Sequence, residues 1–214
     1  LVGGDGDDRI VDSFGENIVE GGAGDDSVHL AGERGIALGG DGDDTLYAPS
    51  GDHLLVGGEG ADTLTAGGVR VELDGGAGDD RLDLLAPQSA IVHFGRGAGH
   101  DTVALAGFSA DAIDEIRMAP GVAAADVTLR RSGTTLLLTL AGGADSMSVS
   151  NALAGDAIAI GRITFADGSS LDAAALLALA RVGSDLADEL VGTTGDDLIA
   201  GGGGDDTIDG LAGN

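Results

Sequence analysis

Five aspartates, Asp8, Asp26, Asp44, Asp62 and Asp80, stand 18 residues apart, each behind the same run of glycines. The nine residues around each read GGxGxDxUx, where U is a large apolar residue, at 3–11, 21–29, 39–47, 57–65 and 75–83. Carboxylates at one fixed position of a stacked repeat form a column of oxygen donors. Such a column repels itself by about 1 kcal/mol per pair at ~4 Å even in a water-like dielectric, and by more where water is excluded. The whole chain shares the problem, with 37 acidic against 10 basic residues and a formal charge of -27. A divalent cation is the obvious counter-ion, and this charge excludes nucleic acid and anionic membrane as partners.

The elements that must position these aspartates follow from the same period. Position eight of every nine residues is apolar from Ile10 to Ile91, running through Val19, Val28, Ala37, Leu46, Leu55, Leu64, Leu73 and Leu82. Each unit therefore supplies one short strand with its central side chain inward, and the glycine-rich six residues turn the chain back. Two units make one coil, and about five coils at ~4.8 Å spacing give a roll ~24 Å long. The alternate units, 12–20, 30–38, 48–56, 66–74 and 84–92, keep the inward residue and lose the glycine and aspartate signature. They carry Asn17, Gly35, His53, Val71 and Ser89 at position six. All intact loops thus fall on one edge. The acidic neighbours Asp5, Asp7, Asp25, Asp41, Asp43, Asp79 and Asp205 are expected to be solvated and to raise the negative potential there. On the other side, Ile36, Leu38, Leu54 and Val56 form an outward apolar stripe, to be covered by the following domain, a neighbouring copy or a partner. Ala90 and Val92 are placed outward by the same count.

The nonapeptide GGxGxDxUx resembles the calcium-binding unit of RTX (repeats-in-toxin) proteins. That resemblance implies calcium, about four to six ions, with Asp8, Asp26, Asp44, Asp62, Asp80, Asp101, Asp188, Asp197 and Asp206 as side-chain ligands. Main-chain ligands are implied from Gly4, Gly6, Gly22, Gly24, Gly40, Gly42, Gly58, Gly60, Gly76, Gly78, Gly97, Gly99, Gly202 and Gly204. The chemistry suits the ion: calcium takes six to eight oxygens in forgiving geometry, more than one loop can supply, whereas magnesium demands a tight octahedron. Glycine lets the backbone turn with positive φ and approach the ion. Four or five ions are expected in the first block and at least one in the second.

The chain divides by composition into three parts. Residues 1–103 are the calcium-binding roll, closed by residues 94–103, where Asp101 follows Asp80 by 21 residues so that three extra residues are absorbed. Residues 104–182 lose the repeat and read as a β-rich capping and linking domain, with strands at 126–131, 134–140, 146–150 and 157–165. A short helix follows, capped by Asp172 and running to about Arg181. Residues 183–214 start a second roll. The fold class is all-β: a parallel β-roll, a sandwich-like cap with one helix, and the start of another roll. Leu1 and Val2 fill the end of a preceding unit and residues 210–214 the start of a following one, so the chain is expected to be a piece of a longer array, with further repeats of the parent chain as its neighbours.

Other chemistry finds little support. There is no cysteine for a disulfide or a thiolate site. His29, His53, His93 and His100 are scattered, with no His-Glu-x-x-His and no Gly-x-Ser-x-Gly, so no enzyme is expected. No apolar run reaches the ~20 residues of a membrane span, and the N-terminus is not a signal peptide. The RTX resemblance implies export by a type I system and a secreted, extracellular or cell-surface location. The parent is then a toxin, an enzyme or an adhesin, and the alternative to a purely structural module is a ligand-binding adhesin module using the apolar face.

Overall fold

A computed structural model describes residues 1–107, 109–110, 112–154, 157–180, 189–191 and 199–210. The first block alternates long and short strands: β1 (Val2–Asp5), β2 (Arg9–Asp12), β3 (Glu16–Ala23), β4 (Ser27–Leu30), β5 (Arg34–Asp41), β6 (Thr45–Ala48), β7 (Asp52–Glu59), β8 (Thr63–Ala66), β9 (Arg70–Ala77), β10 (Arg81–Leu84), β11 (Ser89–Phe94) and β12 (His100–Leu105). Odd strands form one parallel sheet and even strands the other. Strands β3, β5, β7 and β9 are eight residues long because each runs on from a degenerate unit into the first three residues of the next intact one.

The register is the repeat made visible. Val19 pairs with Ala37, Ala37 with Leu55 and Leu55 with Leu73 in one sheet. Val28, Leu46, Leu64 and Leu82 line up in the other. All are at most 1% exposed, and the two columns face each other as the core. Each leucine in such a column contributes about 1.5–3 kcal/mol on burial.

The three extra residues before Asp101 are absorbed in two places. Strand β11 pairs with β9 as Ser89 with Arg70 and Val92 with Leu73, one residue beyond the 18-residue register. The inward residues there are Ala90, Val92 and Phe94, while Ile91 points out. This corrects the strict count, which had Ile91 inward and Ala90 and Val92 outward. The slip sits in the turn around Ala86, whose φ is +50°. A strand has a side-chain period of two, so one added residue exchanges its faces. The other two residues fall between Phe94 and His100, and Arg81 then pairs with Thr102.

The capping segment adds β13 (Glu115–Met118), a 3-10 turn at Ala124–Asp126, β14 (Val127–Ser132), β15 (Thr135–Leu140), β16 (Ser146–Ser150), β17 (Leu153–Ala154), β18 (Ala157–Ile158), β19 (Arg162–Thr164), β20 (Ser170–Asp172) and the helix α1 (Ala173–Leu179). Its strands join the roll edge to edge. The first sheet continues β11-β13-β19-β20 and the second β12-β16-β15-β14, so each reaches nine strands. The expected strand at 157–165 is divided into β18 and β19. Asp172 caps α1 by accepting the Ala175 N–H at 2.9 Å; the helix ends at Leu179, and Arg181 lies outside the described residues. In the second block, β21 (Glu189–Val191) and β22 (Thr207–Asp209) pair in parallel, Leu190 against Ile208, again 18 residues apart. No helix among the described residues is long and apolar enough to cross a membrane.

Ile18, Ile36 and Leu54 lie side by side on the outer face of the first sheet, as do Leu38 and Val56, flanked by Glu20, Glu72 and Asp74. Ile36, Leu38, Leu54 and Val56 are half-buried, and Ile18 is 60% exposed. Among the described residues, the cap strands β13, β19 and β20 follow β11 in the plane of the first sheet and extend it at its end rather than covering this stripe.

Candidate metal centre

Each intact loop leaves a long strand of the first sheet, turns through two positive-φ glycines, and enters a short strand of the second sheet immediately after its aspartate. Gly40 shows why the residue type is needed. Its φ is +131°, and a Cβ there would strike the carbonyl of Gly22 in the preceding coil. The coils are in backbone contact at this edge, which no side chain would permit.

The aspartates form a continuous ladder. The Asp8 N–H donates to Asp26 Oδ1 at 2.7 Å, Asp26 to Asp44 at 2.7 Å, Asp44 to Asp62 at 2.7 Å, Asp62 to Asp80 at 2.8 Å and Asp80 to Asp101 at 3.1 Å. Asp26, Asp44, Asp62, Asp80 and Asp101 are 1–4% exposed; Asp8, at the open end, is half-buried. One oxygen of each carboxylate is thereby used. The other, Oδ2 of Asp26, Asp44, Asp62 and Asp80, is buried with no hydrogen-bond partner.

A second ladder runs in the opposite sense through position five. Asp7 Oδ1 accepts the Asp25 N–H at 3.0 Å, Asp25 the Asp43 N–H at 2.9 Å, Asp43 the Ala61 N–H at 2.8 Å and Asp79 the His100 N–H at 2.8 Å. These side chains are exposed, as expected of solvated acids, but four of them also tie successive coils together. That role was not visible in composition.

Burial dominates the electrostatics of the inner ladder. It raises the Asp44 and Asp80 carboxyls above their ordinary value, and those of Asp62 and Asp101 to about 7. The backbone N–H that each accepts works against the rise, and the neighbouring carboxylates reinforce it. A buried carboxylate with one unpaired oxygen costs on the order of 1–3 kcal/mol or more. A cation placed there would remove both penalties.

The donor set indicates what kind of cation. A Cβ built at Gly39 would meet Asp44 Oδ2 and, at 2.6 Å, the carbonyl oxygen of Gly57 in the next coil. Carboxylate and carbonyl oxygens therefore converge beside the first glycine of this loop. Gly3, Gly21 and Gly57 repeat the arrangement, with Asp8, Asp26 and Asp62. Among the described residues no three His, Cys, Asp or Glu side chains converge on one point, so this is not a zinc-type cluster. Hard carboxylate and backbone carbonyl oxygens brought together in this way fit calcium.

In the second block Asp206 repeats the local geometry: a Cβ at Gly201 would meet its Oδ2, and Gly202 and Gly204 have φ of +89° and +99°. Asp188 and Asp197 lie outside the described residues. On the degenerate edge the same positions hold other bonds. Asn17 donates to Asp12, and His53 Nε2 lies 2.7 Å from the Ser50 carbonyl. His29 packs edge-on against Tyr47, and His100 Nδ1 is 2.9 Å from Ser146 Oγ.

One cluster escaped the sequence reading. Glu115 on β13 accepts from Arg117 at 2.9 Å, Arg162 at 2.9 Å and Thr164 at 2.7 Å, and Glu72 on β9 bonds both Arg117 and His93. Burial alone would raise the Glu115 carboxyl, but these hydrogen bonds hold it at about 2. The partners come from four strands, with bonded pairs up to 49 residues apart, and no local spacing signals them.

A parallel β-roll with stacked carboxylates and carbonyls along one glycine-rich edge defines a calcium-binding solenoid. The model of the RTX calcium-binding nonapeptide repeat matches residues 2–34, 38–70, 56–86 and 182–214. The chain belongs to this family. The haemolysin-type calcium binding protein related domain matches residues 136–175, within the cap. No curated protein matches the chain. Among solved structures, the extracellular lipase LipA from Serratia marcescens is similar over 72% of this chain, with 17% identity and a TM-score of 0.38. The match spans 37% of the lipase chain.

Proposed function

We propose that the chain is the calcium-binding structural module of a secreted RTX protein, with no catalytic role of its own. The observation that carries the proposal is the row of buried Oδ2 atoms at Asp26, Asp44, Asp62 and Asp80, each without a partner. Ions in the gaps between successive loops, four or five in the first block and at least one in the second, complete the oxygen shells. Until they arrive, the charge of -27 and the buried carboxylates oppose compaction, so metal binding and folding are coupled. Such a chain stays extended where calcium is scarce and folds outside the cell, which suits type I export and an extracellular or cell-surface location. Far-UV circular dichroism tests the coupling: disorder is expected in chelator, and cooperative β structure on adding calcium. A chelated sample with its full β signal would overturn the proposal.

A second reading, an adhesin-type contact module, draws on the half-buried outward stripe of Ile36, Leu38, Leu54 and Val56. Lysine at Leu38 and Val56 then abolishes ligand capture while leaving calcium-driven folding intact; global unfolding of that variant counts against it.

A further inference from the structure

The cap contains a nonapeptide that the repeat count misses. Gly142-Gly143-Ala144-Asp145-Ser146-Met147-Ser148-Val149-Ser150 keeps the first two glycines and the apolar eighth residue of GGxGxDxUx. It carries Asp145 in place of the fourth glycine and Met147 in place of the sixth-position aspartate. Its pairing is that of a true repeat. Thr102, Val103 and Ala104, at positions seven to nine of the last loop, pair with Ser148, Val149 and Ser150 at the same positions. Arg81, Leu82 and Asp83 pair with Thr102, Val103 and Ala104 in the same way one coil earlier.

The first half of this unit has left the stack. Gly143 N–H donates to Leu140 O at 2.9 Å and Leu140 N–H to Asp145 O at 3.0 Å, a hairpin turn that brings the chain in from antiparallel β15. A Cβ at Gly142 or Gly143 would meet nothing within 4 Å, whereas at Gly40 or Gly58 it would strike the preceding coil. The loss leaves the last metal loop without a following coil. Within the ladder the position-four N–H donates to a position-three carbonyl of the next coil, as Gly24 to Asp41, Gly42 to Glu59 and Gly60 to Ala77, each at 2.8 Å. At the last loop the corresponding Gly99 N–H goes to Asp145 Oδ1 at 3.2 Å, and the Gly97 N–H joins it at 2.9 Å. Arg96 of the same loop donates to the Ala141 carbonyl at 2.9 Å. Asp145 is 8% exposed and Met147 is fully buried.

We propose that residues 142–150 are a converted nonapeptide that terminates the calcium ladder. In it the Asp145 carboxylate replaces the missing coil's carbonyl and holds the last metal loop, while Met147 fills the next ligand position with an apolar side chain. Asp145 is a positioning residue for the ion at the Asp101 end, and the inference rests on the ladder binding calcium.

Native mass spectrometry of the full chain across a calcium titration resolves successive bound states. Asp145→Ala is expected to bind one ion fewer than the wild type at a calcium concentration that just fills the wild type, with the earlier ions unchanged. Superimposable titrations, or uniform weakening of every ion, overturn the proposal, since general loss of cap stability acts on all sites alike. If Asp145→Ala does not fold in saturating calcium, Asp145→Asn decides, because its amide oxygen still accepts from Gly97 and Gly99. A full ion count in that variant supports the assignment, and loss of the last ion overturns it. A wild type that binds no calcium refutes the ladder itself, an outcome distinct from either.

Discussion

The Asp44 N–H reaches Asp62 Oδ1 at 2.7 Å, while Oδ2 of both residues is buried and unpartnered. Each carboxylate is thus half structural and half available. It braces the preceding coil with one oxygen and offers the other to a gap between coils.

Asp44→Ala removes both functions at once. The variant is expected to bind fewer calcium ions and to fold at a higher calcium midpoint, since each lost charged hydrogen bond or ligand costs about 1–3 kcal/mol. Calcium stoichiometry and the midpoint followed by circular dichroism check this, and wild-type values for both would remove Asp44 from the ladder.

Gly40→Ala tests the backbone contact. The added methyl collides with the Gly22 carbonyl at a φ of +131°, which places the loss at about 2 kcal/mol or more. Gly107→Ala is the control, because a Cβ there meets nothing within 4 Å, and its effect stays within about 0.5 kcal/mol. Thermal melts in saturating calcium should separate the two variants clearly.

Acid should favour the metal-free fold. Asp62 and Asp101 rise from 3.8 to about 7 on folding, so between about pH 4 and 7 the folded chain binds more protons than the unfolded one. Stability of the calcium-free fold therefore increases as pH falls through this window, and is lowest above pH 7 where both states are ionised. Circular dichroism in calcium-free buffer should show more β structure at pH 5 than at pH 8. With calcium present the dependence reverses in practice, because protons compete for the same oxygens and the midpoint rises below pH 7. Greater calcium-free β structure at pH 8 would contradict the burial of these carboxyls.

Glu115→Gln isolates the cap from the ladder. The carboxylate holds Arg117, Arg162 and Thr164, and its neutral replacement should cost about 1–3 kcal/mol in calcium-loaded stability without changing the number of bound ions. In the wild type this contribution is present above the ordinary glutamate pKa of 4.5 and fades as pH falls towards 2. Melting temperature together with ion count checks both halves.

The sequence by itself determined the roll, because an 18-residue period places position eight of each unit up to Leu82 in one of two inward columns and every intact loop on one edge. Asp26, Asp44, Asp62 and Asp80 were legible as a ladder for that reason. Tertiary structure decided what breaks period. It showed that the three residues before Asp101 divide between two turns, which turns Val92 inward in place of Ile91, because strand faces alternate and composition does not mark where a slip falls. It brought Glu72, Glu115 and Arg162 together across neighbouring strands, and it seated Asp145 on the amides of Gly97 and Gly99. Those contacts join segments more than 40 residues apart through cap strands that lie outside the nine-residue repeat, and a repeat can encode only the neighbours that its own period supplies.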